Sequence, residues 1–125
     1  MDLQEERKLT YMFITHNLSV VKHISDEIMV MYLGQCIEKA ESSELFKNPK
    51  HPYTQALLDA IPVADLDSRH TERKSIKGEI VSPIDPAPGC RFAPRCPYAR
   101  KECTGCNISL KEVSENHQVA CVLFE

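Results

Sequence analysis

The stretch Leu9–Thr15 (LTYMFIT) decides the fold of this sequence, because its centre is continuously apolar and rich in aromatic and β-branched residues. A run of this kind predicts a β-strand that is buried on both faces, as in a parallel sheet. The rest of the 125-residue chain offers too few strands to flank it. We therefore interpret the sequence as an α/β fragment, a piece of a larger domain.

The segments after this strand follow the order helix, β-hairpin, two helices. Asn17 is placed to cap a helix that runs to about Ser25. Glu27–Tyr32 and Cys36–Ala40 flank Leu33-Gly34-Gln35, which indicates a hairpin. A short helix is expected from Ser42 or Ser43 to Phe46, and His51-Pro52-Tyr53 begins another helix that Pro62 ends.

Composition divides the chain into three parts. Residues 1–62 carry the strand, the hairpin and the helices. Residues 63–89 are polar and punctuated by prolines, which is typical of a linker or an interaction loop, with at most a short strand near residues 79–81. Residues 90–125 form a small, irregular, cysteine-rich module that ends in an apolar, strand-like run, Val119–Phe124.

Charge and hydropathy exclude several classes of protein. The net charge is −3 without a basic stripe, which argues against nucleic acid binding. The apolar runs are far shorter than the roughly 20 residues of a membrane-spanning helix, and the polar start of the chain is unlike a signal peptide. The cytosol, where thiols stay reduced, is therefore the expected compartment.

Five of the six cysteines lie in the last third of the chain. Clustered cysteines in a reducing compartment more often bind metal than form disulfides, and an odd number pairs incompletely. Cys103 and Cys106 also form a C-x-x-C motif, which leaves zinc open as the bound metal. A pair of disulfides or idle thiols is the alternative interpretation.

His16 stands at the carboxyl end of the predicted strand and next to the predicted helix N-terminus. In α/β sheets this is the edge where phosphates bind. An imidazole there can hydrogen-bond a terminal phosphate and help to hold an attacking water. On position alone, a capping or surface histidine is the more common interpretation.

The sequence from Leu9 to Ile61, and Lys50-His51-Pro52-Tyr53-Thr54 in particular, resembles the ATP-binding subunits of oligopeptide and dipeptide ABC importers. The resemblance implies the C-terminal piece of an ABC-type nucleotide-binding domain, in which His16 corresponds to the switch histidine that senses the γ-phosphate of ATP. A solvent-exposed Leu9–Thr15 segment would count against this resemblance.

The words GCRF-x-x-RCP (from Gly89) and H-x-x-AC (from His117) resemble the C-terminal extension of the same family. This similarity implies that four cysteines are ligands of a 4Fe–4S cluster: Cys90, Cys96, Cys103 and Cys121. Cys106 falls outside that pattern, so zinc stays possible, with Cys106 and His117 as alternate ligands.

The resemblance also implies a function for the parent protein. It would bind ATP–Mg²⁺ and drive peptide uptake with a second ATP-binding subunit and membrane-spanning permease subunits, at the inner face of the plasma membrane. This chain contains no G-x-x-x-x-G-K-S/T loop, no signature motif and no acidic Walker B strand, so it is expected to be inactive alone.

Two other functions remain open from the sequence. One is a free-standing iron–sulfur or zinc module with a redox or regulatory role and no ATPase activity. The weaker one is an assembly domain that holds a partner through residues 63–89. Exposed strand edges also predict self-association.

Overall fold

The computed structural model describes residues 6–61, 76, 78, 82 and 84–124. Its helices and strands form a small α/β fold with one four-stranded antiparallel sheet in the order β1-β2-β4-β3. None of the helices in these residues is long and apolar enough to span a membrane. The elements are α1 (Leu18–Ile24), β1 (Glu27–Tyr32), β2 (Gln35–Glu41), α2 (Ser42–Lys47), α3 (Pro52–Asp59), β3 (Lys111–Ser114) and β4 (His117–Val119).

The predicted hairpin is confirmed as β1 and β2. Tyr32 pairs with Gln35 across a two-residue loop, in which Leu33 and Gly34 have φ values of 46° and 78°. Two left-handed residues give the twist that suits a tight hairpin, and glycine adopts that conformation without steric cost. Alternate residues of β1 are buried, which places Ile28, Val30 and Tyr32 in the core.

The predicted helices are also confirmed. Asn17 caps α1, since its side-chain oxygen accepts a hydrogen bond from the Val20 N–H at 3.3 Å. Helix α2 begins at Ser42, and α3 begins at Pro52, whose fixed φ suits a first helical position. The cap of α3 is His51, whose Nδ1 accepts a hydrogen bond from the Tyr53 N–H at 3.1 Å.

The cysteine-rich residues join the same sheet and core as the hairpin. Strand β4 pairs with β2, placing His117 opposite Ala40 and Val119 opposite Glu38. The Phe92 ring is 1% exposed and packs edge-on against Tyr32 at 5.3 Å between centroids. This part of the chain is therefore less irregular than the sequence indicated, because it contains the β3–β4 hairpin.

The strand-like run predicted for Val119–Phe124 is wrong. Strand β4 ends at Val119, although the Ala120 N–H still donates to the Ile37 carbonyl at 2.8 Å. Residues Val122–Phe124 then form a 3₁₀ turn. Strand β2 extends to Gln35, but its ladder with β4 stops at the Glu38–Val119 pair, and the chain enters the 3₁₀ helix three residues later.

The predicted buried strand at Leu9–Thr15 is also wrong for this chain. The segment has no strand pairing, and its side chains are exposed, with Met12 at 88% and Ile14 at 93%. Within the described residues no strand lies beside it, so its backbone groups have no ladder to join. Most of the predicted linker 63–89, including the short strand near 79–81, lies outside the described residues.

Candidate metal centre

Cys90 and Cys103 are held together by their backbones. The Cys90 N–H donates to the Cys103 carbonyl oxygen at 2.8 Å, and Gly89 forms a β-bridge with Thr104. This close approach requires glycine at position 89, where φ is +123° and an added Cβ would lie 2.5 Å from the Cys103 carbonyl oxygen. The glycine before the first cysteine therefore lets the two cysteine loops meet.

Cys96 follows Cys90 after one 3₁₀ turn, Ala93–Arg95. The Ala93 N–H donates to the Cys90 carbonyl at 3.0 Å, and the Cys96 N–H donates to the Ala93 carbonyl at 3.2 Å. Proline at position 94 suits the early position of such a turn. The turn brings Cys96 back towards Cys90 across only five intervening residues.

A small cavity is lined by all four cysteines that the family resemblance singled out: Cys90, Cys96, Cys103 and Cys121. Its enclosed volume is only about 10 Å³, which is room for about one water molecule. The cavity is also lined by His51 and by apolar residues such as Ala93 and Ile108. None of the six cysteines forms a disulfide.

Burial favours the neutral form of three of the four thiols in this cavity. Burial raises the pKa of the Cys90, Cys96 and Cys121 thiols, and backbone N–H groups offset part of that rise. The Arg100 N–H lies 3.3 Å from Cys103 Sγ as a donor, so this sulfur already receives one hydrogen bond. A cation bound here would favour the thiolate forms, since metal ligands are deprotonated.

The four cysteines line one cavity, but this does not by itself make them metal ligands. In the part of the chain that the structure describes, no group of three or more His, Cys, Asp or Glu side chains has an arrangement that could hold a metal ion. The cavity lined by the four cysteines has room for about one water molecule, so a metal centre there requires the surrounding side chains to move. The donor set, four thiolates in a partly apolar pocket, fits an iron–sulfur cluster or zinc.

The two alternate ligands lie elsewhere. Cys106 is exposed and does not line the cavity, and neither does Cys36. His117 is fully buried, with its Nε2 at 2.7 Å from Glu38 Oε1 and its Nδ1 at 3.5 Å from Glu44 Oε1. Both ring nitrogens of His117 therefore face carboxylates of the α/β core.

Glu38 lies behind the cavity wall and accepts a hydrogen bond from the backbone of His51, a role that its local sequence does not indicate. This carboxylate is 0% exposed, and besides His117 it accepts hydrogen bonds from the Lys50 N–H at 2.7 Å and the His51 N–H at 3.0 Å. Two backbone N–H donors and the His117 imidazole satisfy this buried carboxyl group, which would otherwise be costly to bury. A glutamate within the strand QCIEKAE reads locally as a solvent-facing residue.

His51 is the second residue that sequence reasoning underestimated. It caps α3 as expected, but it is 1% exposed, and its Nε2 lies 3.9 Å from Cys90 Sγ. Burial lowers the pKa of His51 to about 4, against the opposing attraction of Glu38. A histidine within a His-Pro-Tyr helix start gives no local signal of burial.

The predicted nucleotide residue His16 lies in a bend between the exposed segment and α1, and its side chain is exposed. The Thr15 hydroxyl next to it accepts a hydrogen bond from the Asn17 N–H at 3.1 Å. The structure thus places His16 immediately before a capped helix, as the sequence indicated, and some distance along the chain from the cysteine cavity.

Known proteins resemble this chain over nearly its whole length. A family model described as "Oligopeptide/dipeptide transporter, C-terminal region" matches residues 37–103, just over half of the chain. The chain is 51% identical over 121 residues to the dipeptide transport ATP-binding protein DppF of Escherichia coli (strain K12), covering 97% of this chain and 36% of that protein. It is 50% identical over 124 residues to the oligopeptide transport ATP-binding protein AppF of Bacillus subtilis (strain 168), covering 98% and 38%.

The chain therefore belongs to the oligopeptide/dipeptide transporter C-terminal region family, and the resemblance inferred from its sequence is confirmed. It spans little more than a third of the length of the curated relatives that it matches. The exposure of Leu9–Thr15, which would have counted against the resemblance, does not overturn it. The family assignment rests on 51% identity over 121 residues, which the exposure of one short segment does not change.

Proposed function

We propose that this chain forms the C-terminal part of an ATP-binding subunit in a dipeptide or oligopeptide ABC importer. The observation that carries the proposal is the 51% identity to a dipeptide transport ATP-binding protein over 121 residues. The complete subunit binds ATP–Mg²⁺, works with a second ATP-binding subunit and membrane-spanning permease subunits, and sits at the cytoplasmic face of the plasma membrane. By itself, the chain does not hydrolyse ATP, because it contains no phosphate-binding loop.

His16 acts as the γ-phosphate sensor in that complete subunit. Its place immediately before the capped helix α1 supports this role, since helix N-termini and the loops before them face phosphates in α/β proteins. The imidazole then helps to orient the attacking water, and a positioned group of this kind contributes roughly 10²–10⁴-fold to a rate.

A chimera tests this proposal. The matching third of Escherichia coli DppF is replaced by this chain, and ATP hydrolysis and dipeptide uptake are measured in the assembled transporter. We expect both activities in the chimera and a loss of hydrolysis of about 100-fold or more for His16→Ala. His23→Ala, an exposed histidine seven residues further on, is the matched control and keeps full activity. A chimera that folds and assembles but neither hydrolyses ATP nor imports peptide contradicts the proposal.

A second proposal concerns the cysteine cavity. Cys90, Cys96, Cys103 and Cys121 together hold a 4Fe–4S cluster, with zinc as the alternative metal. The shared cavity of these four thiols supports it. A cluster supplies either a covalent cross-link between the cysteine loops and β4 or a one-electron redox centre.

Iron, zinc and acid-labile sulfide analysis of protein purified without oxygen tests the metal centre. We expect four iron and four sulfide per chain, lost in Cys103→Ser and retained in Cys106→Ser, which removes the exposed thiol outside the cavity. Stoichiometric zinc without sulfide identifies the alternative. Protein free of both metals, or equal loss in the two variants, refutes a metal centre at this cavity.

Self-association of the chain is a further part of the proposal. Strand β1 is an edge of the sheet, and Met29 and Met31 on its outer face are 53% and 55% exposed, like the apolar Leu9–Ile14 segment. Exposed edges and apolar residues favour pairing between copies. Light scattering over a wide concentration range should show a mass that rises with concentration, and a constant monomer mass refutes it.

A further inference from the structure

The histidine of the His-Pro-Tyr stretch faces the cysteine cavity with only one of its ring nitrogens free. His51 Nε2 lies 3.9 Å from Cys90 Sγ, and the ring lines the same cavity as the four thiols. Such a contact allows two opposite arrangements. Either the imidazole donates its N–H to sulfur, or it offers a lone pair to a thiol hydrogen or to a metal ion.

The other ring nitrogen decides between these arrangements. His51 Nδ1 accepts a hydrogen bond from the Tyr53 backbone N–H at 3.1 Å, as the cap of helix α3. A nitrogen that accepts has no proton, so the ring hydrogen of a neutral imidazole must sit on Nε2. Nε2 therefore has no lone pair for a metal ion and points a donor at Cys90.

The backbone of His51 is held by hydrogen bonds, as its ring is. Its N–H donates to Glu38 Oε2 at 3.0 Å, and the preceding Lys50 N–H donates to Glu38 Oε1 at 2.7 Å. Against its ring lies Phe92, with centroids 5.9 Å apart. Because the residue is only 1% exposed, water cannot easily take the place of the sulfur as partner of Nε2.

We infer that His51 is a positioning residue that donates its Nε2–H to Cys90 Sγ, without itself binding the metal. Hydrogen bonds from N–H groups to cysteine sulfur stabilise the thiolate and are one of the means by which proteins tune iron–sulfur centres. Together with the Arg100 N–H on Cys103, this gives two of the four cavity sulfurs a fixed donor. The inference deepens the proposed metal centre, but its first two tests use metal-free protein.

Two substitutions separate the donor from the cap. In His51→Asn the side-chain oxygen takes the place of Nδ1 and still accepts from the Tyr53 N–H, but the side chain is too short to reach Cys90. In His51→Gln the amide nitrogen reaches the position of Nε2 and can donate to sulfur, while the cap is lost. A purely structural role of His51 predicts that Asn is the milder change, whereas a donor role predicts that Gln preserves the behaviour of Cys90.

The first measurement is the rate at which iodoacetamide alkylates Cys90 in the reduced, metal-free chain at neutral pH, resolved by peptide mass spectrometry. Iodoacetamide reacts with the thiolate form of cysteine. Loss of a hydrogen-bond donor to the sulfur reduces the fraction of thiolate, and the higher nucleophilicity of the remaining thiolate offsets part of this effect. We expect the rate at Cys90 to fall at least about threefold in His51→Asn and to stay near the original in His51→Gln. The rate at Cys96, which lines the same cavity without touching His51, is the internal control for access.

The second measurement needs no variant. Nitrogen NMR of the histidine rings in the unmodified chain identifies the protonated nitrogen, and we expect it to be Nε2 of His51. A ring protonated at Nδ1 instead, or an unchanged Cys90 rate in a folded His51→Asn protein, overturns the inference.

Metal analysis then distinguishes the donor role from the proposed metal centre. His51→Asn keeps the metal content of the unmodified protein if His51 is a donor, and loses it if His51 is a ligand, which overturns the inference. If the chain holds no metal at all, the metal proposal fails, while the alkylation and NMR results still decide the role of His51.

Discussion

Removal of the Glu38 carboxylate is expected to be the most damaging single change among the described residues. In Glu38→Ala, the Lys50 N–H, the His51 N–H and His117 Nε2 all lose their acceptor inside the protein. Breaking a fully buried charged network on one side typically costs about 3–5 kcal/mol. Small domains have a total stability of about 5–15 kcal/mol, so this loss is a large part of it.

Urea unfolding followed by circular dichroism measures the change, with two comparisons that sharpen it. Glu38→Gln keeps one acceptor oxygen but turns an amide N–H towards a backbone donor, so we expect an intermediate loss of about 1–3 kcal/mol. Glu27→Ala on the neighbouring strand removes an ion pair with Lys39 at 3.1 Å, in which Glu27 is 56% exposed, and should cost at most about 1 kcal/mol.

Equal losses in Glu38→Ala and Glu27→Ala would refute this reasoning, because burial is the property that separates the two carboxylates. The same result would remove the reason for treating Glu38 as the residue that fixes the His51 backbone beside the cysteine cavity.

Three further predictions follow from single contacts. Because burial lowers the pKa of His51 to about 4 from 6.5, the folded state binds fewer protons than the unfolded state between these values. Stability is therefore full above about pH 6.5 and falls by roughly 3 kcal/mol as the pH drops to 4; urea unfolding at several pH values should show this slope, and His51→Asn should lack it. Gly89→Ala should cost about 1–3 kcal/mol more than Gly105→Ala in urea unfolding, since both residues have positive φ but only the first Cβ meets a backbone atom; equal costs would contradict the packing described. Asn17→Ala should cost about 1 kcal/mol by loss of the α1 cap, and an unchanged unfolding midpoint would show that the cap contributes nothing.

The elements that sequence reasoning found are those set by local chemistry. The hairpin was predictable because Gly34 lies between two apolar runs, and helix α3 because Pro52 and the following apolar stripe mark a start and a face. Each signal lies within a few residues of the structure that it specifies.

The predictions that were wrong concern structure that depends on contacts with distant parts of the chain. Leu9–Thr15 has the composition of a buried strand, yet burial of a strand depends on neighbours that its own residues do not supply. Val119–Phe124 is apolar enough for a strand, but its ladder with β2 stops at Val119 and residues Val122–Phe124 form a 3₁₀ helix. Strands β4 and β2 pair residues that lie about 80 positions apart in the sequence. A short-range sequence pattern does not predict such a pairing.

The cysteine site shows the same division. The grouping of Cys90, Cys96, Cys103 and Cys121 came from recognisable words in the sequence, and all four do line one cavity. The place of His51 in the cavity wall could not be anticipated, because it depends on the fold and on the contact of its backbone with Glu38. Glu38 lies in the β1–β2 hairpin, His51 caps α3, and His117 belongs to β4.

This arrangement connects the cysteine loops to the sheet through one carboxylate. Glu38 contacts the histidine that faces Cys90 and also the histidine of β4, four residues before Cys121. A rearrangement of either loop on metal binding would therefore disturb a contact of the same buried side chain. Since metal binding and folding are coupled wherever the ligands move on binding, the stability of the α/β core and the occupancy of the cavity should change together.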